Sequence, residues 1–341
     1  MEPNLKYKHK QTIDFVVKNI FKIVAIICGS FVVFVTGYIL YKGIYPFIHN
    51  YSLDGSTVIK QDFGSFFTNP RWLYDGTGGM IFLLLTTLYT TLLSLVISVP
   101  ASIFTALFLV KIVPKKIKGI LITAIELLAS VPSVIYGLFG VGVVCQIVNS
   151  LGVETYGGRS ILSASIILAI MSIPTITMLS ITSIEAVDKK MIDASIALGA
   201  SKAQTNMKIV LKSAQSGIFA GIILGIGRAL GEATAVQMVI GNNSLGTGFL
   251  NIFNPGNTLT SAMLSGIGEA SGIGYDVRFS LGLVLIIVIL LISTMLNIIK
   301  NRMNNIEKSE SKIMNVFKKI MNDFMLSIKV YFNEICRKNK K

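Results

Sequence analysis

Residues 185–214 read EAVDKKMIDASIALGASKAQTNMKIVLKSA, a charged stretch set between two apolar runs, 161–184 and 217–240, that would each suit lipid. It reads as two short helices around a turn at Gly199. An ordinary amphipathic connector has the same pattern, so the side of the membrane on which the stretch falls decides its meaning.

The chain has 341 residues, of which 52% are hydrophobic and 14% charged, and its mean hydropathy is +0.69. These values exclude an ordinary soluble domain and indicate an all-α integral membrane protein. Six transmembrane helices are expected, over about 23–41, 80–110, 117–148, 161–184, 217–240 and 279–299, each with the roughly 20 apolar residues a crossing needs. The second and third windows are long enough to require tilt or a kink, and Pro100 and Pro132 are the kink sites, as Pro174 is in the fourth. The formal charge of +14 raises a nucleic-acid partner. Membrane proteins concentrate Lys and Arg on their cytoplasmic side, however, so lipid is the expected partner and nucleic acid is not.

Counting Lys and Arg gives the orientation. Five fall before the first window, four in 111–118, five in 185–216 and eleven from Lys300 onward. The alternate segments 42–79, 149–160 and 241–278 hold three, one and one. Both termini and the opening stretch are therefore expected in the cytoplasm. The run 23–41 is too long for a signal-peptide core, and Ile27 stands where a lipoprotein site before Cys28 needs a small residue, so it is read as a retained helix. Cys28, Cys145 and Cys336 have no metal or redox spacing. The expected organisation is a cytoplasmic segment 1–22, a first helix 23–41, an extracytoplasmic loop 42–79, a five-helix core 80–299 containing the loop 185–216, and a basic tail 300–341. In that tail Ile313, Phe317, Ile320, Phe324, Ile328 and Tyr331 form the apolar stripe of a helix suited to the inner leaflet.

The fifth window ends GIILGIGRALGEATAVQMVIGN (221–242) and carries Arg228 and Glu232. Gly217, Gly221 and Gly225 form successive small-xxx-small steps, and Gly227 with Gly231 forms another. Helical spacing puts both charges on the face of the first glycine row, which should look into the bundle rather than at lipid. An Arg at the bilayer centre costs about 2.5–3.5 kcal/mol even on gentle scales, and a pairing with Glu232 offsets part of that. The pair is then either a closed pin between helices or a gate on a polar pathway, in which Arg228 attracts an anion. A second candidate set lies in ELLASVPSVIYGLFG (126–140): Glu126, Ser130, Ser133 and Tyr136 follow at helical spacing around Pro132. Glu126 could equally be an interface residue, and the two serines could bond back to their own helix.

The chain has no phosphate loop and only two histidines, His9 and His49. Energy must come from a partner or from an ion gradient. Asp193, Ala194, Ser195, Gly199, Ile209 and Leu211 resemble the EAA motif of ABC-importer permeases, with Asp193, Ser195 and Lys212 departing from the usual Glu, Ala and Pro. Across about 75–300, the strings ELLASVPSVIYGLFG and GIGRALGEATAVQMVIGN are similar to the PstC-type permeases of phosphate importers. The resemblance implies a MetI-like ABC importer permease fold and no enzymatic activity or cofactor in this chain, with ATP and Mg on a partner. It also implies a PstA-like permease subunit, two ATPase subunits docked on the EAA element, and an extracytoplasmic phosphate-binding protein delivering near 43–79, 156–160 or 241–276 of a chain set in the bacterial plasma membrane. Permeases for sulfate or molybdate carry similar R-x-x-G-E strings and remain alternatives, as do an ATP-independent anion carrier and a membrane sensor acting through the tail.

Overall fold

The computed structural model describes residues 3–53, 57–73, 78–151, 156–243 and 250–302. Among the described residues the regular structure is helical but for one small hairpin. Helix α1 spans Pro3–Ile48, the antiparallel strands β1 (Tyr51–Leu53) and β2 (Thr57–Ile59) pair Ser52 with Val58, and α2 is Phe63–Thr68. Then come α3 (Ile81–Lys111), α4 (Lys115–Ser130) and α5 (Ser133–Phe139), which passes through a π turn at Gly140–Val144 into α6 (Cys145–Asn149). Helix α7 is Ile161–Glu185, α8 Lys189–Ala197, α9 Lys202–Thr205, α10 Leu211–Gly231, α11 Thr234–Val239 and α12 Leu259–Leu264. A last helix, α13, covers Gly272–Arg302. The tail expected to be amphipathic lies outside the described residues from 303 onward.

Among the described residues five helices are long and apolar enough to cross a membrane: Asp14–Ile48, Ile81–Lys111, Ile161–Glu185, Lys202–Gly231 and Gly272–Arg302. Helices α4 and α5–α6 make a sixth only if a pair bent by 94° counts as one span. The chain is thus a multi-pass membrane protein whose third window is broken rather than kinked. Pro132 explains the break: it has no N–H to give Leu128, and it sits in an extended conformation at φ −59°, ψ 142°. Pro100 and Pro174, expected to kink their helices, leave α3 and α7 continuous. The fifth window also departs from expectation, because α10 stops at Gly231 and α11 starts anew at Thr234.

The chain divides into two compact units. The first comprises Met1–Val96, Val131–Ile170 and Ala229–Ile289. Its apolar core joins Phe66 and Trp72 of the segment after α1 to Phe82 and Leu83 of α3, Leu259 of α12, and Val277 and Leu281 of α13. The described residues around Phe66 and Trp72 are therefore a packed part of this unit. Their glycines show why: a Cβ at Gly79 would lie 2.0 Å from the Asn69 carbonyl oxygen and one at Gly78 2.2 Å from the Leu73 nitrogen. From Asp14 to Tyr38, α1 is exposed, as suits a helix facing lipid. Its last turns are held by Lys42, whose Nζ lies 3.0 Å from Asp276 Oδ1, and by Ser280, which donates to the Gly43 carbonyl at 2.7 Å. Tyr51 donates to Asp276 Oδ2 at 2.8 Å. Burial, and then this bond to a carboxylate, raises the Tyr51 phenol well above tyrosine's ordinary value, so it stays a donor.

The second unit comprises Ile97–Ser130, Met171–Arg228 and Leu290–Lys341. Ala106 and Leu109 of α3, Ile181 and Ile184 of α7, and Val210, Ala214 and Ile218 of the α10 region form its core. An ion pair between Lys118 of α4 and Glu185 closes this unit next to the 185–216 connector.

Candidate functional site

The glycine row of α10 does what its spacing predicts. A Cβ at Gly217 would lie 2.0 Å from Ser183 Oγ, one at Gly221 3.1 Å from Leu179 Cβ, and one at Gly225 2.7 Å from Ile176 Cγ1, so only glycine lets α10 pack this closely on α7. Arg228 continues the row: its Nη1 donates to Thr175 Oγ1 of α7 at 3.0 Å, and the residue is half-buried.

Glu232 departs from the expected geometry. Because α10 ends one residue earlier, Glu232 does not belong to the helix of the glycine row; its Oε1 accepts the Ala235 N–H at 3.2 Å and so opens α11. Its carbonyl oxygen accepts from Thr260 Oγ1 at 2.8 Å. Among the described residues the ion pairs are Lys42–Asp276 and Lys118–Glu185, so the expected pairing of Arg228 with Glu232 gives way to separate polar partners. The second glycine step is open as well, since among the described residues nothing lies within 4 Å of a Cβ at Gly227 or Gly231.

The bend at Pro132 scatters the second candidate set. Glu126 is exposed on α4. Ser130, at the end of that helix, bonds back to the Leu127 carbonyl at 2.8 Å, while Ser133 starts α5. These residues do not share a helical face. What α5 does instead is pack on α11: a Cβ at Gly137 would lie 2.5 Å from Met238 Sδ, and one at Gly140 2.5 Å from Val239 Cγ1. The two strings singled out in the sequence thus meet through glycine contacts.

The connector 185–216 has the expected form. Asp188 caps α8 by accepting the Lys190 N–H at 2.9 Å, and Ser201 caps α9 with a reciprocal Gln204 contact. Gly199 turns the chain at φ +85°, a conformation that favours glycine. Ser195 and Thr205 are bridged by their hydroxyls at 3.0 Å. Asp193 and Ala194 are exposed; Ile209 and Leu211 are half-buried, with Leu211 against the second unit's core. Leu198, 89% exposed, stands out beside Met191, Ile196 and Met207.

A family model for the binding-protein-dependent transport system inner membrane component matches residues 98–305, more than half of the chain. The chain is also 31% identical over 242 residues to a probable ABC transporter permease protein, YqgH, of Bacillus subtilis (strain 168), covering 70% of this chain and 77% of that protein. It is 31% identical over 255 residues to the phosphate transport system permease protein PstC of Pasteurella multocida, covering 69% and 77%, and 32% identical over 243 residues to the PstC of Xylella fastidiosa (strain 9a5c), covering 66% and 74%. The chain belongs to this family, as a permease of the PstC type. A solved bacterial ABC transporter involved in the import of the acidic polysaccharide alginate shares the fold of the permease at a TM-score of 0.51 and 17% identity, over 65% of this chain and 79% of that one.

Three contacts of the structure escape a reading of the sequence. Thr175 is one hydroxyl among many in an apolar helix, and nothing marks it as the partner of Arg228. The Lys42–Asp276–Tyr51 cluster joins residues more than 220 positions apart. Thr260, whose hydroxyl reaches the Glu232 carbonyl, lies in a segment without helical periodicity. Arg159 did carry a signal, as the lone basic residue of 149–160.

Proposed function

We propose that this permease forms, with a homologous PstA-like subunit, the translocation pathway of an ATP-driven importer of inorganic phosphate. Two ATPase subunits, which carry ATP and Mg, work on the cytoplasmic side, and a phosphate-binding protein delivers from outside. The chain lies in a bacterial plasma membrane with both termini cytoplasmic, as its Lys and Arg distribution supports. The observation that carries the reading is Arg228: a half-buried guanidinium in an apolar helix, hydrogen-bonded to a hydroxyl rather than paired with a carboxylate, in a chain similar to PstC proteins. Such a group keeps its charge for an anion in transit and can grip it with a bidentate fork. Glu232, Glu126, Ser130 and Ser133 complete the proposed pathway set, with Glu232 fixing the break after α10.

The partner assignments have their own support. The open Gly227–Gly231 step suits close packing by a second permease subunit. Leu198, Met191, Ile196 and Met207 are exposed apolar residues of the connector that turns at Gly199, where the residues of Asp193–Leu211 would dock an ATPase and transmit its closure.

Uptake of radiolabelled phosphate tests the reading, in cells lacking their own high-affinity importer and expressing the chain with its partner subunits. Cold phosphate should compete and excess sulfate or molybdate should not. Arg228→Gln should abolish uptake while membrane level and assembly survive. Loss of assembly with that variant would mark Arg228 as a structural pin, and competition by sulfate would reassign the substrate.

A further inference from the structure

The first unit carries a cleft of about 410 Å³ where residues of both motif strings meet Arg159, which lies in neither. Its walls are Leu138 and Val141, from α5 and the π turn, and Gln237 and Met238 of α11; Arg159 and Asn242 complete it. The volume lies toward the lower end of small-molecule sites, about 300–1,000 Å³. Under the orientation proposed above, Arg159 and Asn242 belong to two extracytoplasmic segments, and the fold fastens them together. Ser160 donates its N–H to the Val239 carbonyl at 3.1 Å, and a Cβ at Gly241 would lie 3.4 Å from the Arg159 carbonyl oxygen.

The lining has a definite chemistry. Among the described residues Arg159 is its one charged member and is exposed, so the guanidinium fork is available to a ligand. Gln237 contributes an amide beside it. Asn242, held in the left-handed region at φ 52°, donates its Nδ2 to the Gln237 carbonyl at 3.0 Å, while its buried Oδ1 has no hydrogen-bond partner among the described residues. A guanidinium and an amide N–H₂ give donors for oxyanion oxygens, and an unmet acceptor next to them suits an anion that still carries a proton. Leu138, Val141 and Met238 supply low-dielectric walls that strengthen these contacts.

We propose that Arg159, Gln237 and Asn242 form an outer receiving site for the phosphate oxyanion, upstream of Arg228. This rests on the importer reading above. A lipid headgroup presents the same phosphate chemistry, so free phosphate and lipid are separated in the test.

The complete complex with its partner subunits is prepared with Leu138→Cys, which places a thiol in the cleft wall, and labelling by a water-soluble maleimide is timed against the complex with native cysteines. Inorganic phosphate should slow labelling several-fold in detergent, where lipid is depleted, and potassium chloride at equal ionic strength should not. Adding Arg159→Gln should raise the half-protecting phosphate concentration about tenfold or more, equivalent to about 1.4 kcal/mol, with Arg159→Lys in between. Protection that appears only in phospholipid nanodiscs, with or without phosphate, would assign the cleft to a headgroup and overturn the receiving role. Equal labelling under all conditions, or protection indifferent to Arg159→Gln, would overturn the site altogether. Phosphate uptake by the unaltered complex is measured separately: uptake without protection sinks the site alone, whereas no uptake sinks the importer reading.

Discussion

Replacing Gly140 by Ala tests whether the contact between α5 and α11 is as close as it must be to hold the two motif strings together. The added methyl would lie 2.5 Å from Val239 Cγ1 and 3.0 Å from Ile167 Cγ1. Carbon pairs rest at about 3.5–4.0 Å, so the overlap with Val239 is roughly 1 Å. Neither neighbour can retreat toward solvent, since both are fully buried. Overpacking of this kind costs about 1–3 kcal/mol. Alanine's advantage over glycine in helical backbone, about 0.5–1 kcal/mol, acts in the opposite direction. Gly142, two residues on in the same π turn, removes that uncertainty: among the described residues nothing lies within 4 Å of its would-be Cβ. Both variants gain the same backbone benefit, so the difference between them isolates the clash. Heating the solubilised complex and measuring what remains monodisperse gives the readout. At about 2–4 °C per kcal/mol, Gly140→Ala should fall roughly 2–12 °C below Gly142→Ala. Gly142→Ala itself should match or exceed the unaltered protein. Equal midpoints for the two variants would refute the close packing of α5 on α11.

Three other perturbations probe separate parts of the chain. Gly199→Ala meets open space but forces an L-residue to φ +85°, at about 1–2 kcal/mol, so membrane level should persist while phosphate uptake per ATP hydrolysed falls; unchanged coupling in vesicles would show that the turn is dispensable. Ser195→Ala leaves the buried Thr205 hydroxyl without its partner and should cost about 1–3 kcal/mol, whereas adding Thr205→Val should recover most of the loss in the same thermal assay, because removing both partners is nearly neutral. Asp276→Asn takes the charged acceptor from Lys42 and Tyr51 in a half-buried site and should cost about 1–3 kcal/mol, read as faster protease cleavage within 49–60 and an unchanged cleavage rate in 185–216.

The fold class was legible because lipid imposes a coarse rule: an apolar window of the right length must close its own backbone hydrogen bonds and becomes a helix. The glycine row at 217, 221 and 225 was legible for a similar reason, since periodicity within one uninterrupted helix fixes a face. Legibility ended where helices end. Window 117–148 is predominantly apolar on both sides of Pro132, and that single proline did not reveal whether the chain bends slightly or by 94°. Window 217–240 has no proline at all, and its break at Glu232–Ala233 is stabilised by a local cap, the side chain of Glu232 on the Ala235 N–H, together with a contact from elsewhere, the hydroxyl of Thr260 on the Glu232 carbonyl. Tertiary partners of this kind leave no local mark in a sequence.

The break at Glu232 changes what Arg228 can do. In an unbroken helix a carboxylate one turn on would neutralise the guanidinium, and the pair would be a closed pin whose field an anion scarcely feels. With α10 ending at Gly231, the carboxylate is engaged by a backbone N–H, and the guanidinium by a hydroxyl that balances none of its charge. A hydroxyl orients the fork without competing with a phosphate oxygen as a carboxylate would. Holding an unneutralised Arg in an apolar helix costs several kcal/mol by any scale, a cost that packing against α7 alone does not require. The glycine row already secures α10 on α7 through contacts that end at Gly225, one turn before Arg228. Removing the charge should therefore leave that helix pair standing and take away the attraction for an anion, which is why assembly and uptake are expected to separate at this residue.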